Sequence, residues 1–237
     1  MTAKVLITGA GSGIGLAVAR RVVARGMRAI LWDISAAALE AAQAELGDSA
    51  EVRQVDVSDV QAVTGAAASL EGVTHLVNNA GILGQQMDWR ALDPAEIARV
   101  LSINVTGFMQ VASCFIKARR PHSTAAIVNM ASIAGENGGA PGFASYGASK
   151  GAIIALTRAM ARDFAPEVRV NALAPGIIDT PIQDAVMTDA AARARAAEGI
   201  PMQRMGSPDE VAAATEWLLF DAAYTTGEII RIAGGRR

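Results

Sequence analysis

"AKVLITGAGSGIG" (residues 3–15) joins an apolar run to a loop with glycine at 9, 11, 13 and 15, and a helical pattern opens at 14. A strand that turns through glycines into a helix is the start of a βαβ unit. The glycines let the chain turn tightly and let a phosphate approach the backbone at the helix N-terminus. The common G-x-G-x-x-G fingerprint is not met: counted from Gly9 it needs glycine at 14, where Ile14 stands. The spacing present is Gly9-xxx-Gly13-x-Gly15, and by itself it also fits a tight turn that holds no ligand.

Outward from this stretch the same alternation continues. Strand-like runs fall at 3–8, 28–32, 51–55, 73–77, 125–130, 167–173 and 228–232. Helical patterns lie between and after them at 14–25, 36–46, 59–71, 94–118, 146–165, 182–197 and 208–220. Three helix starts carry a capping residue three positions before Glu or Gln: Ser58 with Gln61, Asp93 with Glu96, and Ser207 with Glu210. Pro94 and Pro208 add the preferred first helical residue. Strands alternating with helices predict an α/β Rossmann fold, a doubly wound parallel sheet of about seven strands with helices on both faces. The sequence shows no repeat, low-complexity tract or linker, so residues 1–237 read as one domain.

In such a sheet ligands bind beyond the C-terminal strand ends. The distinctive residues fall there: "TGAGSGIG" (8–15), Asp33, Asp56-Val57, "NNAG" (78–81), "NMAS" (129–132) and "APG" (174–176). Asp33 follows Gly15 by 18 residues, where a carboxylate can accept hydrogen bonds from the adenosine ribose. A 2′-phosphate there would meet like charge, and Ile34 and Ser35 supply no cation, which predicts NAD rather than NADP. Asp33 could instead cap the next helix, but Ser35 is better placed for that.

The totals exclude several classes. Net charge is −2, so there is no electrostatic case for nucleic acid or an anionic membrane. The basic "KARR" (117–120) reads as cations at a helix C-terminus. Cys114 stands alone, so no internal disulfide forms. His75 and His122 lie far apart with no Cys or carboxylate pattern, which argues against a metal site. No uninterrupted apolar run reaches the ~18 residues of a membrane span, and the N-terminus meets glycines too early for a signal peptide. The expectation is a soluble, cytoplasmic protein.

"ASYGASKGA" (144–152) places Tyr146 and Lys150 four apart, on one helix face, among small residues. Such a pair is usually a solvated surface. With TGxxxGxG, NNAG, a serine before YxxxK, and PG in order, however, the chain resembles the short-chain dehydrogenase/reductase family, in its compact single-domain branch. The resemblance covers residues 3–235. It implies Asn104, Ser132, Tyr146 and Lys150 as the catalytic set. It implies Gly9, Ser12, Gly13, Ile14 and Gly15 at the pyrophosphate, Asp33 at the ribose, and Asp56 and Val57 at the adenine. Asn78, Ala80 and Gly81 would line the cofactor; Pro175, Gly176, Ile178 and Thr180 would meet its nicotinamide end. Lys150 would also hold the nicotinamide ribose. With a positive nicotinamide, it would lower the Tyr146 phenol from its ordinary value near 10.

Two features depart from the family pattern. Ser132 and Tyr146 are 14 apart, about one residue more than expected, and Ala233 stands in "AGG" where the usual motif is Asp-Gly-Gly. Substrate choice is expected from loops 82–92, 133–143 and 177–205, the last an Ala- and Met-rich helical lid in which Met187 and Met202 are candidate substrate contacts. The expected substrate is a small secondary alcohol or ketone without a strong charge requirement. The family resemblance further implies a homotetramer through the helices at 94–118 and 146–165. Alternatives are an NADP-dependent 3-oxoacyl-[acyl-carrier-protein] reductase, a non-catalytic dinucleotide sensor, and an extended-branch epimerase or dehydratase. The first wants a basic cofactor pocket, the second has no need of an intact Ser, Tyr and Lys, and the third normally carries an added domain.

Overall fold

Each strand-like run forms a strand: β1 (Lys4–Thr8), β2 (Arg28–Asp33), β3 (Ala50–Gln54), β4 (His75–Asn78), β5 (Ala125–Met130), β6 (Val168–Pro175) and β7 (Ile229–Ile232). The computed structural model describes residues 3–120, 124–187 and 189–237; His122 lies outside them. The strands form one parallel sheet in the order β3-β2-β1-β4-β5-β6-β7. Chain order reverses between β1 and β4, and the register Asn78↔Asn129 and Met130↔Leu173 brings the strand ends to one edge. That edge is the crevice where a parallel sheet binds ligands.

Parallel strands need crossovers, and the crossover helices cover both faces. Every residue of β4 and β5 is therefore buried. Alternate side chains feed two cores. Leu6, Ile30, Trp32, Leu76 and Ile127 pack with Phe108, Phe115 and Ile153 on one face. Val5, Ile7, Leu31, Val77 and Val128 pack with Val18, Val22 and Leu218 on the other.

The helices are α1 (Gly13–Ala24), α2 (Ala36–Leu46), α3 (Val60–Ala66), α4 (Pro94–Leu101), α5 (Phe108–Ala118), α6 (Ala134–Asn137), α7 (Ala144–Phe164), α8 (Ala190–Glu198) and α9 (Pro208–Phe220). Several differ from the pattern expected. The 94–118 helix is continuous but has a π-helical middle, Ser102–Gly107, which lets Gly107 lie against the Val57 carbonyl, where a Cβ would come within 2.4 Å. The expected 182–197 helix is a 3₁₀ turn, Pro181–Ala185, followed by α8. Helix α6 was not anticipated; four residues carry too little periodicity to register. Of the three capping pairs only Ser207 and Glu210 close reciprocally. Ser58 instead donates to Asp56 and leaves α3 to be capped by Asp59. Asp93 caps α4, but Glu96 turns away to Arg99 and the Gln85 amide. Residues 94–118 are long and apolar enough to cross a bilayer by length and composition alone. Their buried side, including Phe108, Val111 and Phe115, packs into the first core, as expected of a sheet-covering helix.

One buried group gives the fold an acid limit. His75 on β4 lies against the Phe220 ring at 5.0 Å, with Nδ1 2.8 Å from Thr74 Oγ1. Burial, helped by the positive Arg169, pushes its pKa down to about 4. The unfolded chain therefore takes up this proton first as pH falls from about 6.5 towards 4, and stability drops through that window by up to about 3 kcal/mol. His75→Leu is expected to lose less stability than the parent chain between pH 7 and pH 4.5, measured by urea midpoints. Equal losses would exclude this origin.

Candidate active site

The glycine loop is held by the strands beside it. Thr8 Oγ1 accepts from the Asn79 and Ala80 amides, both at 3.0 Å, and Asn79 Nδ2 donates to the carbonyls of Thr8 and Gly9. Asp33 Oδ2 accepts from the Gly11 amide at 2.8 Å, and Oδ1 accepts from Ser35 at 2.9 Å, while Ser35 itself caps α2. A Cβ at Gly15 would lie 2.1 Å from the Gly9 carbonyl oxygen, so α1 reaches this loop only without one. Ser12 occupies the N-cap of α1 but its side chain caps nothing, leaving first-turn amides to receive an anion. A bare glycine loop, free helix amides and the Asp33 carboxylate together suit a dinucleotide's pyrophosphate and ribose.

Ser132, Tyr146 and Lys150 meet across β5, β6 and α7. Ser132 Oγ accepts from the Ala134 amide at 3.1 Å and lies 3.4 Å from the Pro175 carbonyl oxygen. Its hydroxyl also lowers the pKa of the neighbouring Tyr146 phenol. Lys150 Nζ donates to the Met130 carbonyl at 2.8 Å and lies 5.7 Å from the Tyr146 ring centroid. Between Ser132 and Tyr146 the chain forms α6 and a turn in which Gly138 and Gly139 both take positive φ. Helix α6 lies directly on α7: a Cβ at Gly135 would be 2.6 Å from the Lys150 backbone, and one at Gly147 would be 2.6 Å from the Gly138 carbonyl oxygen.

The ionisations differ from the expected pattern. Burial pushes the Tyr146 phenol up, opposed only by the Ser132 hydroxyl. Burial also pushes the Lys150 ammonium down to about 8. The ammonium is turned to the Met130 carbonyl rather than to the phenol oxygen, so the chain by itself does not make this phenol acidic.

A cavity of about 300 Å³ joins the glycine loop to these three side chains. Gly9, Ser12, Gly13, Ile14, Asp33, Asp56, Val57, Ala80, Gly81, Pro175, Gly176, Ile178 and Thr180 line it as expected. Three expected residues do not. Gly15 is packed beneath the loop. Asn78 is buried, with Nδ2 donating to the Phe108 carbonyl at 2.8 Å. Its neighbour Asn79 takes the cavity wall instead, because successive strand residues face opposite sides. Asn104 stands behind the wall: its Oδ1 accepts from the Ile82 amide, and its Nδ2 donates to the Ile82 carbonyl and Ser149 Oγ. A Cβ at Gly81 would still lie 3.2 Å from Asn104 Oδ1 and 3.5 Å from Lys150 Nζ, so only glycine separates them.

Met187 and Met202 do not line this cavity; Pro181, Ile182 and Gln183 do, and Met202 lines a separate hollow beside the C-terminal segment. Ile82, the first residue of the expected loop 82–92, also lines the cavity; Ile103 was missed, having no polar atom to mark it. Ala233 packs on Gly176, where a Cβ would come within 2.9 Å. Among the lining residues the only charged side chains are Asp33, Asp56 and Lys150. Among the described residues no cluster of three His, Cys, Asp or Glu is arranged to hold a metal.

Residues 9–237 match the family model described as enoyl-(acyl carrier protein) reductase. The chain is 43% identical over 236 residues to galactitol 2-dehydrogenase (L-tagatose-forming) of Cereibacter sphaeroides, covering 97% of this chain and 92% of the relative. Its fold superposes on a short-chain dehydrogenase/reductase structure from Brucella melitensis, titled a glucose/ribitol dehydrogenase, with TM-score 0.89 at 32% identity, covering 98% and 96% of the two chains. An NAD+-bound xylitol dehydrogenase matches with TM-score 0.91 at 36% identity over 98% of each chain. The chain belongs to the short-chain dehydrogenase/reductase family, as a dinucleotide-dependent oxidoreductase of CH–OH and C=O groups.

Proposed function

We propose that the protein interconverts an uncharged secondary alcohol and its ketone with NAD, using Ser132, Tyr146, Lys150 and Asn104. The observation that carries this reading is the meeting of the Ser132 hydroxyl, the Tyr146 phenol and the Lys150 ammonium at one end of a cavity whose other end is the glycine loop. Bound NAD supplies the hydride acceptor. Gly9, Ser12, Gly13 and Ile14 hold its pyrophosphate, Asp33 its ribose, Asp56 and Val57 its adenine, and Gly15 shapes the loop. Ala80, Gly81, Pro175, Gly176, Ile178 and Thr180 border the nicotinamide half, and Lys150 reaches its ribose. Tyr146 takes the hydroxyl proton in oxidation and returns it in reduction. Ser132 donates to the substrate oxygen as charge gathers there. Asn104, held on the Ile82 backbone across Gly81 from Lys150, would position a water that links the ammonium to solvent. Segment 177–205 acts as a lid.

Preference for NAD follows from charge. Among the described residues that line the cavity, those charged at the glycine-loop end are Asp33 and Asp56, and Ile34, next to Asp33, is exposed and offers no cation. kcat/KM is expected to favour NAD over NADP by at least about tenfold, or 1.4 kcal/mol. Asp33→Ala with Ile34→Arg should shift preference towards NADP. Both follow from absorbance of the reduced cofactor with a panel of secondary alcohols and ketones, NAD and NADP in parallel. Polyols come first in that panel, given the galactitol and xylitol dehydrogenases among the relatives. Equal use of the two cofactors would sink the NAD assignment, and no turnover with any panel member would favour a dinucleotide sensor.

Assembly as a homotetramer through 94–118 and α7 is supported by Leu101 and Met109, exposed apolar side chains on the first of these helices. Light scattering at micromolar concentration should give four chains per particle; a monomer would refute it.

A further inference from the structure

The wall that closes the cavity beside the glycine loop is the short segment Thr180–Gln183. Thr180 touches the loop: a Cβ at Gly13 would lie 3.2 Å from Thr180 Cγ2. The segment has little to hold it. Ile182 and Val186 are exposed, and among the described residues the backbone bonds seen here are local turns, Gln183 to Thr180 and both Val186 and Met187 to Gln183. A carboxylate stands at each end, Asp179 before it and Asp184 within the 3₁₀ turn. Both reach the same cation. Arg193 on α8 pairs through Nη1 with Asp179 and through Nη2 with Asp184 Oδ1, the latter at 2.6 Å. Asp179 is itself anchored, its amide donating to the Gly206 carbonyl at 2.9 Å. Helix α8, which carries Arg193, is separately capped by Asp189 at 2.7 Å. A planar guanidinium with two nitrogens directed at two carboxylates is a clasp that a single ammonium reproduces poorly.

We propose that Arg193 is the latch of the lid: a positioning residue that holds Thr180–Gln183 against the glycine loop through Asp179 and Asp184, and so sets how fast nucleotide leaves. It rests on the reading of 177–205 as a lid. Arg193 is not among the residues lining the cavity, so it acts only through the segment it clasps. Without it, two carboxylates five residues apart would repel across a segment with no core of its own. The pairs are largely solvent-exposed, with Asp179 and Asp184 64% and 66% accessible, so the latch is weak enough to open at each turnover and is sensitive to salt.

The test reads release rather than chemistry, so it stands whether or not Tyr146 carries the proton. NADH dissociation from the full chain is followed by stopped-flow fluorescence, beside KM for NAD and thermal midpoints. Arg193→Met is expected to speed dissociation about three- to tenfold, the ordinary worth of two exposed ion pairs, with KM for NAD rising in step. Arg193→Lys should fall between. Added salt should accelerate release from the parent chain more than from Arg193→Met. Asp184→Asn should add little once Arg193 is gone. Unchanged dissociation in Arg193→Met, a lower thermal midpoint without faster release, or fully additive effects of the two substitutions would each overturn the latch. Thr180→Ala separates the two ideas. If it speeds release while Arg193→Met does not, the latch falls and only the direct Thr180 contact is left; if neither does, latch and lid both fall.

Discussion

Tyr146→Phe is expected to lower turnover by about 10² to 10⁴ while leaving fold and NAD binding intact. The factor is the usual contribution of a positioned proton-transfer group. Only one hydroxyl is lost, from a ring that lines the cavity, and its neighbour Ser132 keeps its bonds to Ala134 and Pro175. The pH profile carries further information. Burial pushes this phenol up and Ser132 pulls it part of the way back, so in the working enzyme the Lys150 charge and the positive nicotinamide must add to that lowering. Alcohol oxidation should therefore rise with pH through one ionisation below that of a free phenol, and Tyr146→Phe should abolish that rise along with the rate. Steady-state kinetics on a good alcohol with NAD in excess measure both. A Tyr146→Phe protein with near-normal turnover would mean that the proton leaves by another route.

Lys150→Met is expected to divide activity from stability: turnover falls at least about 10²-fold while the thermal midpoint rises. In the folded chain burial pushes the ammonium's pKa down to about 8 from the ordinary lysine value of 10.5. That lowering corresponds to about 3 kcal/mol, which opposes folding in full below pH 8 and fades as pH rises from 8 to 10.5, where the unfolded chain binds the extra proton. Methionine removes that term and forfeits one hydrogen bond, to the Met130 carbonyl, worth about 1 kcal/mol. The balance of about 2 kcal/mol corresponds to roughly 4–8 °C in a chain of this size. The parent chain should gain stability between pH 8 and pH 10 by calorimetry, and the variant should lack that gain. Activity is lost because the same group tunes the phenol and holds the nicotinamide ribose, so KM for NAD should rise as kcat falls. A lower midpoint for Lys150→Met would show that this lysine stabilises the fold rather than straining it.

Much of the fold was legible in the amino-acid sequence because its signals are local. Apolar runs in alternation with 3.6-residue patterns are enough for a parallel sheet, and the sheet then dictates that residues following the strands share one edge. That is why residues as far apart as Gly9, Asp33, Ser132 and Gly176 could be placed around one cavity, and why Tyr146 and Lys150, one helical turn apart, could be paired. The remainder was decided by contacts between elements distant in sequence. Which of Asn78 and Asn79 faces the cavity depends on the side of the sheet that α5 covers. The position of Asn104 depends on a π-helical segment made where Gly107 must meet the Val57 backbone. Helix α6 exists because Gly135 and Gly147 admit backbone where no side chain fits. Arg193 carries no motif and gains meaning only from two carboxylates brought to it by the turn after β6. The phenol and the ammonium shift in directions that no spacing encodes, since desolvation is a property of the assembled site: sequence supplies which groups are neighbours along a strand or helix, and only packing sets how much water remains around them.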